Sequence, residues 1–485
     1  MKTSILSLRS LRFLMPLGLA LTAMAVPACD SESTESDADD ITDVKNSSVK
    51  NQAIGNCWVY ASVGWAESLH LTQTGKQLNM SESWISYWHW YEQIVGSGAG
   101  GDTAVANLDS KTQLTTGAWF GVAAELMRRY GVIDEGSFIP EEAEAARSSR
   151  QSSALSAINT SLKSGVLSDA AKRKDRKVVR AEMDKAWGLK PEVIKLVDDT
   201  FGADASKSFA KGTAKIPSGA VGLRRAADIE VGKNISLADA VGEPASKFDV
   251  KTRKGKYAWN DTSYPTSAGA RRNLQIKVQR AMHEGMPVVM TWFVDFAALK
   301  SNVFAEPPTV PGSQGGHMTT LEDYQITNVP TYGKLEAGKL VTDKKILDAA
   351  LSTSATIEFF RIKNSWGSSL APPNATDDLR GYYDLNMKYL DASLTKCTEK
   401  NGDKCGTKSQ TNGLWAFTLP PDAFLTDRVG TEGACLNECT IGPARAATCS
   451  PCTDLICGED PYCCSTEWDA TCANTAAYIC DIACN

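Results

Sequence analysis

The chain is short of the features that mark several protein classes. Its formal net charge is only -6 over 485 residues. No basic stripe with interleaved aromatics occurs, so nothing calls for nucleic acid as a partner. The apolar run near the start, Phe13 to Val26, is too short to span a bilayer. Histidine is absent from the Cys-rich end. That leaves an all-thiolate zinc site there as the alternative to disulfides. What is present is ordinary for a globular protein: 42% of residues are hydrophobic, and the length suits two or three domains.

The early apolar run has a different use. Lys2 and the stretch Arg9 to Arg12 precede it, and small residues follow as far as Ala28-Cys29. Residues 1–29 therefore read as a secretory signal. Val26-Pro27-Ala28-Cys29 also resembles a bacterial lipobox, apart from its proline. Two outcomes stay open, a lipid anchor on Cys29 or simple cleavage nearby. Either predicts an exported protein, anchored to the cell envelope or secreted. Residues 30–46 are acidic and Ser/Thr-rich, the composition of a disordered tether. Only a few residues separate this tether from Gln52, which predicts no folded prodomain before it. Cysteine usage agrees with export. There are 14, ten of them between Cys435 and Cys484. Setting Cys29 and Cys57 aside leaves an even number for pairing in an oxidising compartment.

Cys57 stands apart. It opens a helix-like run in which Trp58, Ala61, Trp65 and Leu69 recur at helical spacing, which predicts one buried face. A thiol at a helix N-terminus faces unpaired backbone N–H groups and the positive end of the helix dipole, and both favour the thiolate. Gly55 and Asn56 suit a tight turn before it. Further on, Ser81 is a candidate N-cap for an aromatic-rich helix, and a third helix spans Ala118 to Tyr130 with Trp119 on its apolar face and Gly131 at its end. His89, in the second helix, fits a core position better than a catalytic one. From about 140 to 268 the chain is rich in Ala, Ser, Lys and Glu and reads as a helical insertion, exposed in its first half and without chemistry. The basic run Lys172 to Lys177 within it is a solvated helix face, because acidic residues lie within it and on both sides. Strands then follow: Val288 to Val294 is a buried one. Thr356 to Lys363 alternates and runs directly into Asn364, while Gly381 to Leu385 and Leu414 to Leu419 complete the set. Helices first and strands later predict an α+β fold.

Acyl transfer by a cysteine needs a thiolate, a group that serves as base and then acid, and donors for an oxyanion. Cys57, His317 beside two glycines, Asn364 at a strand end and Gln52 supply candidates for nucleophile, base, orienter and oxyanion donor. In this order, with Cys57-Trp58, Gly316-His317 and Asn364-Ser365-Trp366-Gly367, they resemble the papain-like cysteine peptidases. Asn51-Gln52, the stretch from Ser81 to Trp88, Tyr130-Gly131-Val132-Ile133, the long insertion and Ala281 to Phe296 resemble the bleomycin hydrolase branch. The resemblance implies a papain-like two-domain fold over residues 47–425, with a helical left domain and a β-rich right domain. It also implies peptide or protein substrates, thioester chemistry on Cys57 with His317 and Asn364, Trp366 packed over that pair, and no cofactor or metal. Gln52 stands one position nearer its cysteine than the family pattern has it. Bleomycin hydrolases place their own C-terminus in the cleft, whereas here the corresponding end runs on into another module, so endo- and aminopeptidase action both stay open. The restraint expected before export is redox: the reduced form should be poorly active until its disulfides form.

Cys397 and Cys405 bracket a Lys/Gly-rich loop and are expected to pair. Residues 430–485 read as a separate disulfide-rich module resembling a Cys-rich repeat of exported myxobacterial proteins; two roles stay open for it, binding to a surface or a polysaccharide, or a protease-resistant cap. The alternative to a peptidase is a catalytically inactive papain fold that binds or adheres through this tail.

Overall fold

The computed structural model describes residues 41–96, 108–242, 255–429 and 438–480, apart from 43, 110, 144, 399, 402, 403 and 446–450. The expected signal and lipobox, with Cys29, lie outside them. So do most of the tether and Cys435, Cys449 and Cys484 of the tail.

Helix α1 (Cys57–Thr74) is the axis of the molecule. One buried face was expected, but every residue from Trp58 to Leu69 is buried, including Ser62, Glu67 and Ser68. The reason lies in its position, with helices packed on one side and the strand bearing His317 on the other. A helix enclosed between two layers has no solvent face to keep polar. Helix α2 (Glu82–Gly96) begins at Ser81, whose Oγ accepts a hydrogen bond from the Trp84 N–H at 3.2 Å. Its Trp84, Tyr87, Trp88 and Trp90 are fully buried. Helix α3 (Phe120–Tyr130) starts later than its apolar pattern suggested. Trp119 is in extended conformation just outside the helix and is 43% exposed, not on the buried face.

The insertion forms α4 (Gln151–Ser164), α5 (Arg176–Trp187) and α6 (Pro191–Phe201). These helices were expected to be exposed. Each instead buries a face, with Ile158, Val179, Met183, Trp187, Val197 and Phe201 fully inside. The aromatics of α2 supply the mating surface: Trp187 packs on Trp90 at 5.0 Å and Phe201 on Trp88 at 5.2 Å between ring centroids. A high Lys and Glu content describes only the outward faces. Lys172, Lys174 and Lys177 of the basic run are indeed exposed.

The main sheet has one strand before α7 (Ala268–His283) and the rest after it. Its strands are β1 (Asn260–Ser263), β2 (Val288–Asp295), β3 (Leu299–Lys300), β4 (Val303–Phe304), β5 (Gln314–Val329), β6 (Gly333–Leu335), β7 (Thr356–Lys363), β8 (Tyr382–Asn386) and β9 (Leu414–Leu419). Their order across the sheet is β1-β9-β2-β5-β7-β8-β4-β3, with β6 paired to β5. All pairs are antiparallel except β8 with β4. Helices and sheet share one continuous hydrophobic core. A separate small cluster around Trp468 and Ile456 forms the core of the tail. The mixed architecture, helices before strands, is the expected α+β arrangement. Among the described residues no helix is long and apolar enough to cross a membrane.

Candidate active site

The loop before α1 is fixed from three sides. The Gln52 N–H donates to the Ser365 carbonyl at 2.8 Å, and the Lys50 carbonyl accepts from the Gly367 N–H at 3.2 Å. Gly55 is needed for close approach: a Cβ there would lie 2.9 Å from Thr116 Oγ1. Asn56 does not cap the helix with its side chain. Its Nδ2 instead donates to Ser86 Oγ and Gln151 Oε1, both at 3.1 Å. Gln151 belongs to the insertion and is fully buried. A segment expected to carry no chemistry therefore braces the residue next to Cys57.

With no side-chain cap on the helix, the backbone N–H groups of Cys57 and Trp58 face the sulfur, joined by that of Met318 from β5. These donors favour the thiolate, as the helix-start argument predicted. Burial opposes them and is the larger effect, pushing the thiol up to about 11. Cys57 is the free cysteine among the described residues and is only partly covered.

His317 lies on β5 opposite Trp292 of β2. Lys363, the last residue of β7, pairs with Thr320. Continuing that antiparallel register brings the chain after β7 alongside His317. There Asn364 Oδ1 lies 2.8 Å from His317 Nε2 and also accepts from the Ser365 N–H at 2.8 Å. The second contact fixes which way the amide points, because its nitrogen could not accept that N–H. Nε2 therefore carries the imidazole hydrogen, and Nδ1 keeps the lone pair. Trp366 stacks on the His317 ring, centroids 4.6 Å apart and 20° between planes, and Trp292 meets it edge-on at 5.5 Å. Burial holds the imidazole down at about 4, against the Asn364 hydrogen bond, which raises it.

Gln52 is tied into the same group. Its Oε1 accepts from Ser365 Oγ at 2.7 Å and its Nε2 donates to the Ile54 carbonyl at 2.8 Å. Sequence reasoning missed Ser365 as an anchor, although its place between Asn364 and Trp366 was the available signal. It also missed Lys50, whose ammonium sits between Glu82 at 2.9 Å and Glu135 at 3.2 Å, all three buried. No pattern around Lys50 announces that a lysine is inside.

A family model described as "Domain of unknown function (DUF8252)" matches residues 434–484. No curated protein matches the chain. Among solved structures, PepW from Lactobacillus rhamnosis is similar at 10% identity and a TM-score of 0.39, over 81% of this chain and 84% of that one. The clostridial cysteine protease Cwp84, after propeptide cleavage, is similar at 10% identity and a TM-score of 0.30, over 78% of this chain and 56% of that one. This chain thus spans little more than half of the Cwp84 chain's length. Likenesses of this degree leave the chemistry to the residues themselves.

His89 stays out of the site. It is buried against Trp58, edge-on at 4.9 Å, and burial pulls it down to about 3. A neutral imidazole buried against Trp58 and hydrogen-bonded to Gln93 Nε2 at 3.3 Å is a packing residue. In the tail, Cys452–Cys480, Cys457–Cys464 and Cys463–Cys472 are disulfides, and Cys439 is also disulfide-bonded. Cys397 and Cys405 pair as expected.

Proposed function

We propose that this chain is a cysteine peptidase of papain-like architecture, acting on peptides or proteins. The observation that carries the reading is the His317–Asn364 hydrogen bond, formed on the strand whose Met318 amide faces the Cys57 sulfur. Cys57 Sγ attacks the scissile carbonyl while its proton passes to His317 Nδ1. The resulting imidazolium, oriented by Asn364 Oδ1, then protonates the leaving amine. The tetrahedral oxyanion is met by the Cys57 backbone N–H and by the Gln52 Nε2 hydrogen that does not go to Ile54. Water, deprotonated by His317, hydrolyses the thioester and frees the acid. Thiol and imidazole both rest uncharged at neutral pH, given a thiol near 11 and an imidazole near 4. The ion pair therefore forms as the proton moves, inside a site where Trp366 shields His317 from water.

Export extends the reading. Its supports are the basic-then-apolar start of the sequence and the disulfides, which persist in oxidising compartments. Anchorage through Cys29 and binding of a surface or polysaccharide by the tail are parts of the proposal that rest on sequence alone.

The test uses purified protein beside Cys57→Ala with matched peptides bearing free or acetylated N-termini. Cleavage of both sets by the wild type alone is the outcome for an open-cleft endopeptidase. Cleavage of the free-amine set alone identifies an aminopeptidase. Absence of any Cys57-dependent cleavage overturns the reading in favour of a binding protein working through its tail.

A further inference from the structure

The hairpin that carries Cys397 and Cys405 has no place in the chemistry above, yet it reaches the His317 strand at two points. Its arms, Ser393–Cys397 and Lys408–Asn412, pair in antiparallel register. Of the side chains on these arms only Leu394 is buried. An isolated two-stranded hairpin with so little core is marginal in water. The Cys397–Cys405 bond therefore supplies the constraint that apolar burial does not.

The first point of contact is Gln314, three residues before His317. Its Oε1 accepts from the Cys397 N–H at 2.9 Å. Its Nε2 donates to the Thr395 carbonyl at 2.7 Å and to Asp295 Oδ2 at 2.6 Å. Asp295 Oδ1 in turn accepts from the N–H groups of Ala297 and Gly312, at 3.0 and 2.9 Å. That holds the turn on which Phe296 packs against Trp366 at 4.9 Å, on the ring that stacks over His317. The second point is Trp415. Its Nε1 donates to Thr411 Oγ1 of the hairpin at 3.0 Å. Its ring lies so close to Gly316 that a Cβ there would come within 2.9 Å of Cζ3. The residues one and three positions before His317 are thus both braced by a disulfide-closed hairpin.

We propose that the Cys397–Cys405 hairpin, acting through Gln314, is a redox-dependent positioning device for His317. Oxidised, it fixes the start of β5 and with it the imidazole. A dithiol reductant cleaves the S–S bond with two electrons and two protons, giving two thiols and its own cyclic disulfide. The hairpin then loosens and His317 loses register with Cys57. The inference rests on the peptidase reading and adds a mechanism by which the protein is throttled in a reducing compartment.

The experiment compares full-length wild type, C397S/C405S and Gln314→Met, each prepared without reductant and checked for native tryptophan fluorescence. The two variants break the brace by independent routes, and Gln314→Met leaves every disulfide intact. In both, kcat for peptide hydrolysis should fall about tenfold while KM stays within about twofold, the signature of a displaced base rather than lost substrate binding. The rate of Cys57 alkylation by iodoacetamide at pH 7 should fall in parallel. Wild-type kcat and alkylation rate in either variant overturn the proposal, as does a change confined to KM. If the wild type itself shows no Cys57-dependent hydrolysis, the peptidase reading fails, and the alkylation series alone decides on the positioning device.

Discussion

The body of the protein and its Cys-rich tail are held together by different means. The body buries Trp58, Trp65, Trp84, Trp88, Trp90, Trp187, Trp259 and Trp292 almost completely in one continuous core. The described tail residues have a cluster of Ile456, Trp468, Ala473 and Ala476 with Cys463 and Cys472, and they leave Leu455 at 57% and Tyr478 at 90% exposed. Small domains cannot bury enough apolar surface to offset chain entropy, and cross-links take over that role. The hairpin at Cys397 is a piece of tail-like construction inside the body. Stability from area and stability from covalent bonds respond to different perturbations, so the two regions can be separated by experiment.

The largest effect separates them by function. His317→Ala should lower kcat/KM by about 10⁴-fold, roughly 5.5 kcal/mol of transition-state stabilisation. Truncation after Val429 should leave kcat within about twofold; an equal loss from the truncation would erase the distinction between a working body and an accessory tail. Next comes the core. Trp65 packs edge-on against Phe120 at 4.9 Å and Trp259 at 5.1 Å, so Trp65→Ala should cost about 3–5 kcal/mol in denaturant unfolding. Reductant should barely change that figure, since none of the disulfides among the described residues lies in this core. A somewhat smaller effect is expected in the tail. C452S/C480S opens a loop closed over 28 residues and should cost the tail about 2–4 kcal/mol, read as proteolysis confined to its residues. If the body's melting temperature fell with it, the two regions would be one cooperative unit.

The smallest effect concerns pH and sharpens the account of the body. His317 must be unprotonated to accept the Cys57 proton, and burial holds it at about 4. Activity should therefore persist well below the usual histidine range near 6.5 and be lost as pH falls through about 4. The Asn364 hydrogen bond raises that value. Asn364→Ala should consequently move the acid limb of kcat/KM lower still and cut kcat about tenfold. An acid limb near 6.5 in the wild type would mean that the imidazole is not enclosed as described.

Local chemistry made much of this legible beforehand. Helix α2 begins at Ser81 because a serine Oγ can take the place of a missing backbone acceptor. Strands β2, β7 and β9 follow apolar runs that can be counted in the sequence. The juxtaposition of His317 with Asn364 was expected from resemblance, but its means, the β5–β7 register, is a long-range fact. Where expectation and structure differ, the cause is a neighbour invisible along the chain. The buried ring of α1 reflects a sheet packed on its far side. Trp119 lies outside α3 although its spacing fits, and the insertion helices bury one face because α2 offers them an aromatic surface.

The sequence by itself determined which residues could do chemistry, where the first three helices and the main buried strands run, and that Cys397 and Cys405 pair with each other. Residue type and period act over a few positions, and such signals survive in one dimension. The tertiary structure alone decided that Ser365 holds Gln52, that Gln151 of the insertion steadies Asn56, and that Lys50 lies buried among carboxylates. It also decided the balance at Cys57, where burial outweighs the helix-start donors. Desolvation depends on everything packed around a group, and that sum is formed only when the chain has closed on itself.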